Sequence, residues 1–488
     1  MAYAHLLAAT LAALLLFGCG DDGGTDGGAD TGPVDGAMDS STDGSTTDST
    51  IPDSSSPDAG PPPSYTLGWS TTMEGDVRIR ELKIDDTDAV WAIGDFTGSF
   101  TQGGSTITAR DDGTDVMVQQ PGMDGMGGRA HYLGGTDDDF GNGIDVDADG
   151  KMLIAGGFVG TGTFGGNDVT SNGDQDAFVG SFVTASDLGP AFNFGGPGVD
   201  SATDVAWAPD GSLTVVGNFH DTADFGGTSV TSRGLADGFV VATADDGTIR
   251  WARQVGGSGA DGIWAVAHDS EGNVYITGEV TSDADLGDGA TTGGMMSDFF
   301  VAAYAAADGA HLWSMRFGSD EEDRGVDVLV DADGMVAVVG EVGGEVSFGG
   351  GLSNAGAFLA RWRASDAMLM TERRFGAGRA HPVSLRESSV GFVVCGRMDD
   401  GFIAADVPFL PVGGADVFVA RLPASGSEGA DGLVFGSVMD DAAFGAVEAS
   451  DGSLTVAASF EGETSVNDRM VTDADAGSGA ILFTVTRD

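Results

Sequence analysis

Short runs of alternating apolar and polar residues recur along most of this chain, and they recur in the same order. The segment DGSLTVVGNF at 210–219 returns almost unchanged as DGSLTVAASF at 451–460. Aligning related segments on one residue gives Gly94, Gly156, Gly217, Gly278, Gly340, Gly396 and Ala458, seven copies at a nearly constant interval. Each copy carries four apolar segments of strand length. In the third copy these are Thr203–Ala208, Ser212–Gly217, Gly238–Ala244 and Arg250–Val255. The first two are joined by Pro209-Asp210-Gly211 and the last two by Asp245-Asp246-Gly247. Asp-Gly between alternating runs signals a hairpin, because glycine accepts the positive φ that the turn requires. No helical periodicity competes anywhere in the body of the chain.

Four antiparallel strands per unit predict an all-β fold, a seven-bladed β-propeller of four-stranded antiparallel blades. One blade alone exposes two apolar faces, whereas a ring of blades buries both. The last copy ends on a third strand, Ala480–Thr486, and an unmatched strand stands at the start of the body, Tyr65–Ser70, with Trp69 in the position of Trp251 and Trp313. The ring is therefore expected to close with the N-terminal strand completing the last blade. The surplus length of each unit falls between strands two and three, where Phe164, Phe225 and Phe348 are expected to anchor a short tuck.

The segment before Tyr65 follows other rules. Leu6–Phe17 is an uncharged, mostly Ala/Leu run, short for a membrane span and right for the apolar core of a signal peptide. It ends in Leu16-Phe17-Gly18-Cys19, which resembles the lipobox of bacterial lipoproteins; Phe17 departs from the small or branched residue of that pattern. Gly20–Ser64 holds ten aspartates and no lysine or arginine. A segment so poor in apolar residues cannot offset its ordering entropy and is expected to stay disordered. The organisation predicted is a lipoprotein signal peptide at 1–18, a lipidated Cys19 with a tether over 19–64, and the propeller over 65–488. Localisation follows: the bacterial cell envelope, anchored by lipid at the outer membrane or the periplasmic face.

Charge narrows the partners. The chain carries 76 acidic against 21 basic residues, a formal net charge of −55, and only two lysines, Lys83 and Lys151. Such a polyanion is repelled by nucleic acid and by anionic headgroups, so contact with the membrane is expected only through the N-terminal lipid.

The stretches FGGPGVDSATDVAWAPDGSLTVVGNF and VGGSGADGIWAVAHDSEGNVYITGEV resemble SBBP-type β-propeller repeats, which are related in pattern to NHL repeats. The resemblance extends over most of the chain. Lipoproteins with this build and this kind of Asp/Gly/Ser tether look like those of myxobacteria and their relatives. The resemblance implies a propeller outside the cytoplasm and implies no defined activity.

Candidate chemistry lies in the loops between strand four and strand one. Asp139, Asp200, Asp261, Asp323 and Asp441 all stand at one fixed offset before the landmark position of their copy, as Asp200 does before Gly217 and Asp261 before Gly278. Asp76 is one position off, and the sixth copy has Arg379 and His381 instead. On one face these residues would form a rim for a cation or a cationic ligand; alternatively each aspartate closes its own loop by accepting backbone N–H groups. Asp145, Asp147 and Asp149 spell DxDxDG, the opening of a calcium loop, but the bidentate acid of an EF-hand would fall on Gly156. No resident cofactor is expected, with Ca²⁺ as the one candidate. His131, His220, His268, His311 and His381 fall at different repeat positions, without the convergence that metal ligation needs. Cys395 occupies a core position and is expected to be inert. The reading that follows is a lipid-anchored, non-enzymatic binding scaffold for a protein or polysaccharide. The alternatives are a lyase or hydrolase with its site at the channel mouth near the sixth copy, and a calcium-stabilised adhesion module.

Overall fold

The computed structural model describes residues 65–488, apart from 103–104, 111–112, 123–124, 126–127, 185–186, 245, 282, 292, 295, 350–353, 377–379, 426–429, 461–462, 467–468 and 473–478. The predicted signal peptide, Cys19 and the tether lie outside the described residues, as does Arg379.

Every regular element among the described residues is a β-strand, and the architecture is a β-propeller built of four-stranded antiparallel blades. Copies two to six each form a separate sheet. In the third copy the order is Ser201–Trp207, Leu213–Asp224, Ser229–Thr243 and Ile249–Val255. Strand one of each copy packs against the sheet of the copy before it.

The number of separate blades is five, not the seven expected. The first and last copies share one eight-stranded sheet. Its common member is a single strand of 20 residues, Tyr65–Ile84. The first half of that strand pairs antiparallel with Ala480–Arg487, from Tyr65 opposite Arg487 to Met73 opposite Ala480. The second half pairs with Val90–Gln102, from Glu74 opposite Thr101 to Ile84 opposite Val90. The physical reason is local. No turn is written between Ser70 and Val77, so the backbone stays extended and only register shifts bend it, at Leu67/Ser70 and Glu74/Asp76. The N-terminal strand thus does complete the last copy's sheet, and it then runs straight on into the first.

Among the described residues, seven hydrophobic clusters hold the structure. Each mixes residues of two neighbouring copies, and one joins last to first through Met73, Val77, Ile79, Val447, Ala457 and Leu482. Burial between sheets therefore does the work that a single central core does elsewhere. The tucks behave as expected. Phe164, Phe225 and Phe348 are buried, and Phe164 stacks on Phe178 with ring centroids 3.9 Å apart. In the sixth copy Phe402 and Phe409 stack at 4.7 Å instead.

Candidate functional site: loop face, channel and copy six

The five loop aspartates sit inside their loops. Asp139, Asp200, Asp261, Asp323 and Asp441 are at most 3% exposed. Each accepts the N–H four residues earlier: Asp200 Oδ2 from Gly196 at 2.7 Å, Asp261 Oδ2 from Gly257 at 2.6 Å, Asp323 Oδ2 from Ser319 at 2.5 Å. Asp139 and Asp441 repeat the bond with Gly135 and Ser437. The other oxygen reaches the end of strand two, accepting from His220 N at 3.0 Å, Thr281 N at 2.5 Å and Gly343 N at 2.8 Å. Asp200, Asp261 and Asp323 therefore each tie the loop that enters a sheet to the strand that leaves it. The carboxylates do not stand as an open ring.

Strand register refines the sequence spacing. Asp139 lies opposite Phe158 and Asp323 opposite Val342. The same place is held by Ala380, opposite Met398, and by Val77, opposite Phe96. The irregular sixth copy thus has a small buried residue where spacing alone pointed to Arg379. His381 is the next residue and faces other groups. Its Nδ1 lies 3.0 Å from Glu341 Oε2 and its Nε2 lies 3.1 Å from Asp399 Oδ2. Arg324 donates to Glu341 at 2.9 Å and Arg397 to Asp399 at 2.7 Å. The hydrogen bond to Glu341 outweighs burial and, with the charge of Asp399, raises the His381 pKa. With both ring nitrogens engaged by carboxylates, His381 has no free nitrogen for general-base work.

The three aspartates of DxDxDG go separate ways. Asp145 Oδ2 accepts from Trp207 N at 2.7 Å, in the next copy. Asp147 Oδ1 closes the hairpin turn, accepting from Asp149 N and Lys151 N at 3.0 and 2.8 Å. Asp149 is exposed. The same turn bonds recur at Asp210, Asp269 and Asp331. Among the described residues no group of three or more His, Cys, Asp or Glu side chains is placed to hold a metal ion.

A network along the innermost strands was not foreseen from sequence. Glu81, Asp145, Asp204 and Asp327 lie on strand one of four copies, and each accepts the N–H of a strand-one residue in the next copy: Ile144, Trp207, Val266 and Leu385. Two cations sit among them. Arg386 donates to Glu81 at 2.6 Å and to Asp327 at 2.7 Å. Lys83 lies 3.5 Å from Glu81 and 3.7 Å from Asp145. Burial disfavours the Lys83 charge, but Glu81 and Asp145 prevail and raise its pKa to about 12. Burial and the charge of Glu81 push Asp204 upward. The only signal in the sequence was that one of two lysines falls on an innermost strand.

The outer surface is uneven in the sixth copy. Leu410, Val412, Val438 and Met439 are 62%, 60%, 82% and 52% exposed. Their two loops adjoin: Ala415 N donates to Asp440 Oδ1 at 2.9 Å and Asp441 N to Ala415 O at 2.7 Å. Ile403, on the tuck of the same copy, is also exposed. The sequence carried a trace of this in the apolar loop Phe409-Leu410-Pro411-Val412. At the hairpin-turn end, a cleft of about 720 Å³ opens between the last copy and the first, lined by Trp69, Asp88, Gln120, Arg129, Ser453 and Thr484 among others. Cys395 is fully buried, and burial raises its pKa to about 12.

Comparison with known proteins bears on the repeat. A family model for the SBBP β-propeller repeat matches residues 250–283, one interval from the strand Ile249–Val255 past the strand Val274–Val280. No curated protein matches the chain. Among solved structures, YCF48 bound to D1 peptide is similar over 88% of this chain and 97% of that one, at 10% identity and a TM-score of 0.42. BamB from Moraxella catarrhalis is similar over 86% and 99%, at 12% identity and a TM-score of 0.37. The WD40 domain of Neurospora crassa Pan2 is similar over 70% and 88%, at 11% identity and a TM-score of 0.34.

Proposed function

We propose that this chain is exported, lipidated at Cys19 and displayed on the cell envelope as a non-enzymatic scaffold that binds a partner protein through the copy-six face. The observation that carries the binding reading is the apolar group Leu410, Val412, Val438 and Met439, on a molecule otherwise rich in surface carboxylates. Contiguous exposed apolar side chains on a soluble surface mark interaction sites. A partner that buries them gains about 25 cal/mol per Å² of apolar area. The acidic background keeps the propeller soluble and repels nonspecific polyanions, against which the apolar side chains of this face stand out.

The test is a photo-crosslinking residue placed at Val438 in cells, with a second at Asp149 as control. The expected result is one discrete adduct at Val438, lost when Leu410 and Val412 are replaced by serine. Identical patterns at both positions would overturn the assignment of the face. Lipidation is tested separately, by incorporation of an alkynyl fatty acid that disappears in Cys19→Ser.

A polysaccharide ligand is the second reading, and the cleft between the last copy and the first supports it. Trp69 offers an apolar surface there, and Ser453, Thr455, Thr484, Gln120 and Arg129 offer hydrogen bonds to hydroxyl groups. Calorimetric titration with a neutral soluble oligosaccharide, compared between wild type and Arg129→Ala, decides it: heat lost in the variant supports the cleft, and no heat in either removes it.

A further inference from the structure

A second set of aspartates opens strand three: Asp115, Asp176, Asp237, Asp298 and Asp416, all at most 5% exposed. In register they face the residues two beyond the landmark, Phe96, Phe158, Phe219, Val280 and Met398. The set comes with the loop aspartates as partners. Asp115 belongs with Asp139, Asp176 with Asp200, Asp237 with Asp261, Asp298 with Asp323 and Asp416 with Asp441.

Both members are present, or neither is. The remaining two junctions have Gly356 with Ala380, and Gly479 with Val77, at the corresponding places. Seven junctions thus agree without exception, which is what a shared task would produce.

Geometry shows the task. At three of these junctions oxygens of both partners crowd the same glycine, Gly134, Gly195 or Gly256. A β-carbon on Gly195 would lie 2.5 Å from Asp176 Oδ1 and 2.9 Å from Asp200 Oδ2. On Gly256 it would lie 2.9 Å from Asp237 Oδ1 and 2.9 Å from Asp261 Oδ2. Gly195 and Gly256 have φ of 155° and 147°, so the site demands glycine twice over. Four of the strand-three carboxylates bury one oxygen with no hydrogen-bond partner: Asp176, Asp237, Asp298 and Asp416, each through Oδ1. A buried acceptor without a donor is costly, and two buried carboxylates side by side cannot both stay ionised.

We propose that each of these five junctions holds one proton between its two carboxylates, so that five seams of the propeller are locked by acid while the seams at Gly356/Ala380 and Gly479/Val77 are indifferent to pH. At Asp176, Asp237 and Asp416 the proton sits on the otherwise unpartnered Oδ1 and is donated to the neighbouring Oδ2. Asp200, Asp261 and Asp323 already spend both oxygens on N–H groups, which leaves few ligands for a metal ion and suits a proton. Burial, reinforced by the neighbouring carboxylate, carries Asp139 to about 8 and Asp200 and Asp237 to about 6.

The surroundings differ among the five. Arg110, Asp137 and Asp138 face the Asp115/Asp139 pair. Arg233, Gln254, Thr281 and Glu279 face Asp237/Asp261. Arg316 and Ser319 face Asp298/Asp323, and Ser437 and Asp440 face Asp416/Asp441. Asp176/Asp200 is approached by Asn172, Asn193, Gln175 and His220, with no arginine or lysine among the described residues, and is the cleanest place for a test.

The sign is fixed. A carboxyl raised in the folded state contributes stability that is full below its unfolded value near 4 and is lost as pH rises through the folded value. Asp176→Asn in the full chain supplies an N–H where the proton sits. The expected result is a melting temperature equal to wild type at pH 5 and above it at pH 8.5, while wild type itself falls between those two values. Excess calcium is expected to change neither. A variant that melts below wild type at both pH values overturns the proposal, and so does calcium that restores wild type at pH 8.5, which would make the pair a cation site. If Asp176→Asn does not fold, wild type still decides: its unfolding at pH 6, followed by calorimetry in buffers of different ionisation enthalpy, must release protons. Net uptake or none overturns the shared proton.

Discussion

Replacing Arg386 by methionine tests the innermost network. The substitution keeps most of the side-chain volume and removes the cation that bridges Glu81 and Asp327 at 2.6 and 2.7 Å. All three side chains are close to 15% exposed, so solvent cannot take over the lost interaction. Removing one member of a buried pair costs about 3–5 kcal/mol, because the other is left charged and unpaired. The lower end applies here, since Lys83 remains 3.5 Å from Glu81 and only Asp327 is stranded. An unfolding entropy of about 2.1 cal/mol/K per residue over about 420 residues turns a loss of about 3 kcal/mol into a fall in Tm of about 3 °C. The assay is thermal unfolding near neutral pH, with Asp327→Asn and the double variant alongside. The double variant must recover at least about 1 kcal/mol of the summed single losses, the coupling expected of groups in contact. A single variant whose Tm matches wild type, or strictly additive losses, refutes the view that Arg386 neutralises Asp327.

Other expectations follow from single contacts. Gly256→Ala forces a β-carbon against Asp237 and Asp261 at an unfavourable φ and should cost more than about 2 kcal/mol. Gly211→Ala, with positive φ but open space, should cost only about 1–2 kcal/mol; equal losses in a denaturant titration would remove the crowding argument. His381, raised by Glu341 and Asp399, contributes stability in full below its ordinary value near 6.5 and loses it as pH rises through its higher folded value. The gap in Tm between wild type and His381→Ala should therefore narrow from pH 6 to pH 9, and a gap that widens contradicts the bridge. Cys395, buried and held to about 12, should react with a thiol reagent only as fast as the chain unfolds; prompt modification of folded protein would show that the core opens.

Repeat and strand count were legible because seven copies report the same local physics seven times. One Asp-Gly turn is weak evidence, but Asp210-Gly211 and Asp451-Gly452 in matching frames are not. Ring closure was legible too, since Tyr65–Ser70 lacked a partner in its own copy. The merged sheet was not, because extended backbone through Met73 and Glu74 looks the same whether it ends a blade or continues into another. The loop aspartates are visible in the spacing, but spacing carries no depth, and burial at Asp139 depends on packing against the sheet of the copy before it. Asp176 and its equivalents carry no local signal that marks them as paired. Their pairing emerges only when strand register places them beside the next copy's loop. Register also moved the sixth-copy position from Arg379 to Ala380, a one-residue difference that counting from a landmark cannot resolve.

The strand Tyr65–Ile84 also has a mechanical meaning. It lies inside an eight-stranded sheet, bonded to Ala480–Arg487 on one half and to Val90–Gln102 on the other. A pull applied at Tyr65 runs along the strand axis, so the ladders on both halves bear it together in shear instead of opening one rung at a time. The end through which the chain before Tyr65 would transmit any load is the end least able to peel away.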